Sequence, residues 1–80
     1  MNDAIRELDV HGMTLYQARI AIDAALRRAK GVYRLRVIHG YHGGTALRDG
    51  IRSRYAADAR VKRVELGLNP GETDLVLREF

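Results

Sequence analysis

Cysteine is missing altogether, so neither disulfides nor thiolate metal sites support this chain, and its three histidines are the only soft ligands. That fits a reducing compartment. No apolar run approaches membrane-spanning length, and Met1 to Glu7 lack the basic-then-apolar order of a secretory signal. The sequence therefore reads as soluble and cytoplasmic, with no membrane partner. Linkers, repeats and low-complexity stretches are missing too. The 80 residues leave room for one domain, 1–80, with one modest core. Folding of so short a chain buries only about 60% of its unfolded surface. A second catalytic domain is excluded, and a monomer is expected.

What the chain does have is positive charge, unevenly placed. From Arg27 to Arg63 there are eleven Arg or Lys against two acids, Asp49 and Asp58; the remainder carries three bases and eight acids. Twelve of the fourteen bases are arginine, whose planar fork suits phosphate. A single-sign patch of this size attracts nucleic acid through counterion release, although a merely solvated surface would look the same by charge alone.

Ile5 to Val10 alternates as a strand, and Gly12 breaks it. Thr14 and Gln17 have the spacing of a capping box, so helix one starts near Leu15. Leu15, Ala18, Ile22, Ala25, Leu26 and Ala29 recur as one apolar stripe, and Gly31 supplies the stop. In the run Val32 to Ile38, Tyr33, Leu35 and Val37 share one face while Arg34 and Arg36 share the other. Thr45 caps helix two, Ala46 to Ala57, with Leu47, Ile51 and Tyr55 inward. Gly50 in that helix predicts close packing against the sheet. Val61 to Leu66 and Thr73 to Arg78 read as strands three and four, joined through the turn Asn69-Pro70-Gly71.

The order β-α-β-α-β-β implies a two-layer α/β sandwich, a four-stranded mixed sheet with both helices on one face. Strand parity sends Leu8, Val10, Leu35, Val37, Val64, Leu66, Leu75 and Leu77 toward the helices. Asp9, His11, Arg34, Arg36, Arg63 and Arg78 are left on an open face that should be wet and basic.

Two histidines and three glycines crowd into His39-Gly40-Tyr41-His42-Gly43-Gly44-Thr45, where a strand empties into a helix whose free N–H groups suit an anion. Asp9 and His11 share a face near the end of strand one, and strand two ends in His39. If these parallel strands are neighbours, Asp9, His11 and His39 converge beyond the strand ends, where ligands gather in open α/β sheets.

Leu8-Asp9-Val10-His11-Gly12 before helix one, then Val37-Ile38-His39-Gly40 with its glycine-rich turn and Leu47-Arg48, resembles the small MutS-related (Smr) domain. That family shows an L-D-L-H-G motif and a later H-G-x-G motif. Its β-α-β-α-β-β fold resembles the C-terminal domain of bacterial initiation factor three. The resemblance covers essentially the whole chain, the Asn69-Pro70-Gly71 turn included. The usual family loop runs H-G-K-G-x-G; here Tyr41 stands at the lysine position, His42 at the next glycine, and there is one extra residue.

The resemblance implies a nucleic-acid endonuclease that cleaves RNA or nicks DNA, with the D-x-H motif essential in some members. The chemistry of the residues agrees, since histidine can act as acid or base near neutrality and RNA carries its own nucleophile. On this reading His11 is general base or acid, Asp9 orients it, and His39 is its counterpart or a phosphate ligand. Gly40, Gly43, Gly44 and Thr45 offer donors, His42 or Arg48 replaces the missing lysine, Tyr41 stacks on a base, and Arg34, Arg36 and Arg63 contact phosphates.

Plainer roles stand beside these. Asp9 can bond only to its own turn, His39 has the parity of a packed core histidine, and His42 can simply be exposed at the loop tip. Asp9, His11, His39 and His42 could also ligate a divalent ion, but no spacing is diagnostic of a metal site. No cofactor is expected. The alternative to a nuclease is a non-catalytic adaptor that binds RNA, a ribosome or a protein through the basic sheet face.

Overall fold

The structure, a computed structural model, describes residues 4–40, 45–66 and 69–78. Its elements follow the sequence pattern: β1 (Ile5–Asp9), α1 (Leu15–Arg27), β2 (Arg34–Ile38), α2 (Ala46–Ala56), β3 (Arg63–Leu66) and β4 (Glu72–Val76). The capping box of α1 is formed, with the Gln17 N–H donating to Thr14 Oγ1 and the Thr14 N–H to Gln17 Oε1. Thr45 holds the N-cap position of α2, but its backbone is not extended there and its side chain makes no capping bond.

The sheet order is β1-β2-β4-β3, with β1 parallel to β2 and both neighbours of β4 antiparallel to it. Two crossovers carry the chain from β1 to β2 and past a vacant position to β3. The final hairpin then folds β4 back into the gap. One core lies between sheet and helices, built from Val10, Leu35, Val37 and Leu75, from Ala18, Ile22 and Leu26 of α1, and from Ile51 and Tyr55 of α2. The Tyr55 hydroxyl donates to Asp23 Oδ1 across the helix pair. Leu66, expected to face the helices, is 67% exposed because it closes the outer end of edge strand β3. Gly50 does pack closely, but against α1 rather than the sheet: a Cβ there would lie 2.7 Å from Leu15 Cδ2.

The open face differs from the sequence expectation. Register puts Glu7, Arg36, Asp74 and Glu65 in one row across the four strands, and Asp9, Ile38 and Glu72 in the next. Three arginines on this face therefore pair with three acids, Asp74, Glu65 and Glu72. Arg34 donates to Asp74 Oδ2 at 2.6 Å and pairs with Glu65 at 2.7 Å. Arg36 donates to Asp74 Oδ1 at 3.0 Å, and Arg63 to Glu65 at 2.7 Å. The face is an ion-paired lattice, not a basic surface. The acids that neutralise it come from β3 and β4, outside the arginine-rich middle of the chain.

Asp74 is the centre of that lattice, with 2% of its side chain exposed. Burial pushes its carboxyl up, but hydrogen bonds and charges from Arg36 and Arg34 outweigh burial and hold it below 3.8. Its stabilisation is thus complete above the unfolded value and is lost as pH falls through the lower folded one. Asp74→Asn strands two arginines and should destabilise the fold by roughly 3 kcal/mol at neutral pH. In denaturant titrations the gap to the native protein should close below about pH 4; a gap independent of pH would contradict the pairing.

Candidate active site

The ends of the parallel strands are tied together where the motif residues sit. The Val10 N–H donates to the Ile38 carbonyl at 2.8 Å, and the Gly71 carbonyl, entering β4, accepts from both His39 N–H and Gly40 N–H at 3.0 Å. Gly12 and Gly40 turn the chain immediately beyond, with φ of 79° and 76°, a region open to glycine at little cost.

His11 stands on the first of these turns. Its side chain is 71% exposed and that of Asp9 53%. Asp9 Oδ1 accepts from the His11 N–H at 3.0 Å and lies 2.5 Å from His11 Nδ1. An ionised carboxylate can only accept, so Nδ1 carries a proton, and Nε2 has no partner among the described residues. The side-chain and backbone hydrogen bonds from His11 hold the Asp9 carboxyl below its ordinary value. The aspartate therefore bonds to its turn and orients the imidazole at once; the two roles open in the sequence coexist.

His39 points the other way. It is buried, with Nδ1 2.8 Å from the Gly40 carbonyl and Nε2 2.8 Å from Thr73 Oγ1. Arg52 Nε donates to the same Thr73 oxygen at 2.8 Å. The Gly40 carbonyl can only accept, so His39 Nδ1–H donates to it, while Nε2 meets the Thr73 hydroxyl that also accepts from Arg52. Both ring nitrogens are thereby engaged within the fold.

His11, Gly12, Ile38, His39 and Gly40 line a mainly apolar cleft of about 310 Å³. A Cβ at Gly40 would come 3.5 Å from that of His11, so the two turns meet across its mouth. Arg52 reaches Thr73 beside His39, and Arg48 lies one turn before it on α2. Arg48 donates to Asp49 at 3.1 Å, whereas Arg52 forms no ion pair among the described residues. Burial and then the charge of Arg48 lower the Arg52 pKa.

The structure thus joins Asp9 to His11 directly and sets His39 and Gly40 beside them, with the His39 ring turned toward β4. Arg34, Arg36 and Arg63 are elsewhere, in the ion-paired sheet face, and Thr45 is exposed at the start of α2. Tyr41, His42, Gly43 and Gly44 lie outside the described residues. Sequence reasoning missed Thr73 and Arg52. Arg52 could have been found from its helical spacing to Arg48, and Thr73 from its shared parity with Leu75.

Comparison with known proteins points to one family. The family model of the Smr domain matches residues 8–72. A curated relative, the endonuclease MutS2 of Thermus thermophilus, is 40% identical over 60 residues, covering 72% of this chain. The match spans only 8% of that relative's length. The crystal structure of the Smr domain of Thermus thermophilus MutS2 superposes with a TM-score of 0.83 at 34% identity, covering 92% of this chain and 99% of the other.

Thr73→Val deprives Arg52 Nε of its acceptor and His39 Nε2 of its hydrogen-bond partner in one change. Loss of about 2–4 kcal/mol in chemical denaturation is expected, with Thr73→Ser close to native. Equal stability of the valine and serine variants would contradict the Arg52–Thr73–His39 chain.

Proposed function

The chain belongs to the Smr domain family, and from that membership we propose that it binds nucleic acid, RNA ahead of DNA, and cleaves it with His11 and Asp9. The observation that carries this reading is the outward-facing dyad at the cleft: Asp9 holds the proton on His11 Nδ1 and leaves Nε2 open. A base poised in this way, at the C-terminal ends of parallel strands and beside a mainly apolar cleft, can meet a substrate hydroxyl.

In RNA the hydroxyl is built in. His11 Nε2 takes the proton of the 2′-hydroxyl, its oxygen bonds to the adjacent phosphorus, and the bond from phosphorus to the 5′-oxygen breaks. A proton from solvent or a nearby acid completes the leaving hydroxyl, and a 2′,3′-cyclic phosphate remains. Asp9 steadies the imidazolium as it forms. Arg52, a cation without an ion pair among the described residues, and the N–H groups opening α2 are the groups assigned in this proposal to the charge gathering on phosphorus.

In this proposal His39 is a positioning residue, since its nitrogens are occupied within the fold. Phosphate contacts by Arg34, Arg36 and Arg63 would first require opening their ion pairs, so they are the weaker candidates. An adaptor that binds RNA, a ribosome or a protein without cutting is the second reading. It draws on Tyr41, which stands where the family places a lysine.

His11→Ala should lower the cleavage rate on labelled RNA by about 10²–10⁴-fold while leaving most binding intact. Asp9→Asn should act in the same direction, because it no longer fixes the tautomer. Since Asp9 stays ionised below its ordinary range, any loss of rate above about pH 4 must come from a different group. Undiminished cleavage by His11→Ala would remove the dyad from the mechanism; binding without cutting by the native protein would leave the adaptor.

A further inference from the structure

The topology collects the chain's positive charge at the end of the sandwich opposite His11. The starts of β1, β2 and β3, the end of β4 and the C-termini of both helices all lie there. Main-chain bonds close that end: Tyr33 N–H donates to the Ala4 carbonyl, Lys62 N–H to Val76, and Leu77 N–H to Tyr33. Arg6, Arg27, Arg28, Lys30, Lys62 and Arg78 come together on this pole, every one of them exposed.

Among the described residues, Asp23 and Asp58, on the helix side of this end, are both taken by Arg60, at 3.0 and 2.7 Å. None of the six pole cations forms an ion pair among the described residues, in contrast to the arginines of the open sheet face. Complementing the helix dipole explains Arg27, in the last turn of α1. It does not explain Lys62, Arg78 or Arg6, which belong to strand ends, nor Lys30 beyond the helix.

We propose that this pole is a second nucleic-acid contact, an anchor for the phosphate backbone at a distance from the candidate cutting site; the inference rests on the nucleic-acid reading above. The 13 residues of α1 separate the poles by about 20 Å, at roughly 1.5 Å per residue. A duplex arm lying along the helix passes about six base pairs over that span, at roughly 3.4 Å per step. Contacts of this kind position a substrate without reading its sequence. The site therefore engages an extended backbone and loses its anchor on short fragments.

The test uses the full chain with Arg28→Ser, Lys30→Ser and Lys62→Ser combined, all exposed and outside the interiors of the helices. A charge-preserving control combines Arg28→Lys, Lys30→Arg and Lys62→Arg. Fluorescence anisotropy on an RNA hairpin of about 20 base pairs, between about 50 and 200 mM salt, reads affinity and its salt slope. The serine variant should bind at least ~10-fold more weakly, its log–log slope shallower by about 2–3, while the control matches native protein. Cleavage of a dinucleotide, too short to reach both poles, should be equal in all three.

Native affinity and slope in the serine variant would overturn the anchor and leave the proposed function standing. An equal loss in the control would also overturn it, by showing that structure rather than charge was altered. Failure of native protein to bind any RNA or DNA would overturn both readings together.

Discussion

Everything at the candidate site depends on three strand ends being held in one place by main-chain hydrogen bonds. The Ile38 carbonyl takes the Val10 N–H, and the Gly71 carbonyl takes those of His39 and Gly40. A β-α-β unit makes the first of these contacts available, because consecutive parallel strands end at the same edge. The second exists only because the final hairpin returns β4 to the centre of the sheet. Without it His39 would have neither Thr73 beneath its ring nor a fixed partner for the turn that follows.

The two histidines illustrate how one sheet edge gives opposite fates to the same side chain. His11 lies just past the end of its strand, on a turn, paired with a carboxylate and open to solvent. His39 continues the inward parity of Leu35 and Val37, so its ring enters the fold and is satisfied by a hydroxyl and a carbonyl. The sheet's other surface uses charge for cohesion: Asp74 is buried because two arginines flank it, and those arginines are tied up because Asp74 is there. Arg6, Arg27, Arg28, Lys30, Lys62 and Arg78, by contrast, form no ion pair among the described residues.

Local patterns in the sequence carried the elements and the faces. The Thr14–Gln17 box, the stripe through Ala18, Ile22 and Leu26, and the alternation in β2 each encode their conformation within a few residues. Distant pairings were not legible, because alternation reveals which side a residue faces and not which strand lies beside it. Arg34 and Asp74 are 40 positions apart, and only the order β1-β2-β4-β3 makes them neighbours. For the same reason the open face read as basic, and the choice between a reactive and a packed His39 waited on Thr73, 34 residues away. Asp9 and His11, two apart on one strand, could be paired from the sequence alone.

The central claim is that His11 activates a hydroxyl carried by the substrate itself. It is tested most directly with a labelled RNA strand and the same strand bearing one 2′-deoxy residue at the mapped cut, with product ends analysed in both. The account predicts a 2′,3′-cyclic phosphate from the RNA and no cut at the deoxy position. Equal cutting of both strands, with a free 3′-hydroxyl left behind, would contradict it and require water as the nucleophile.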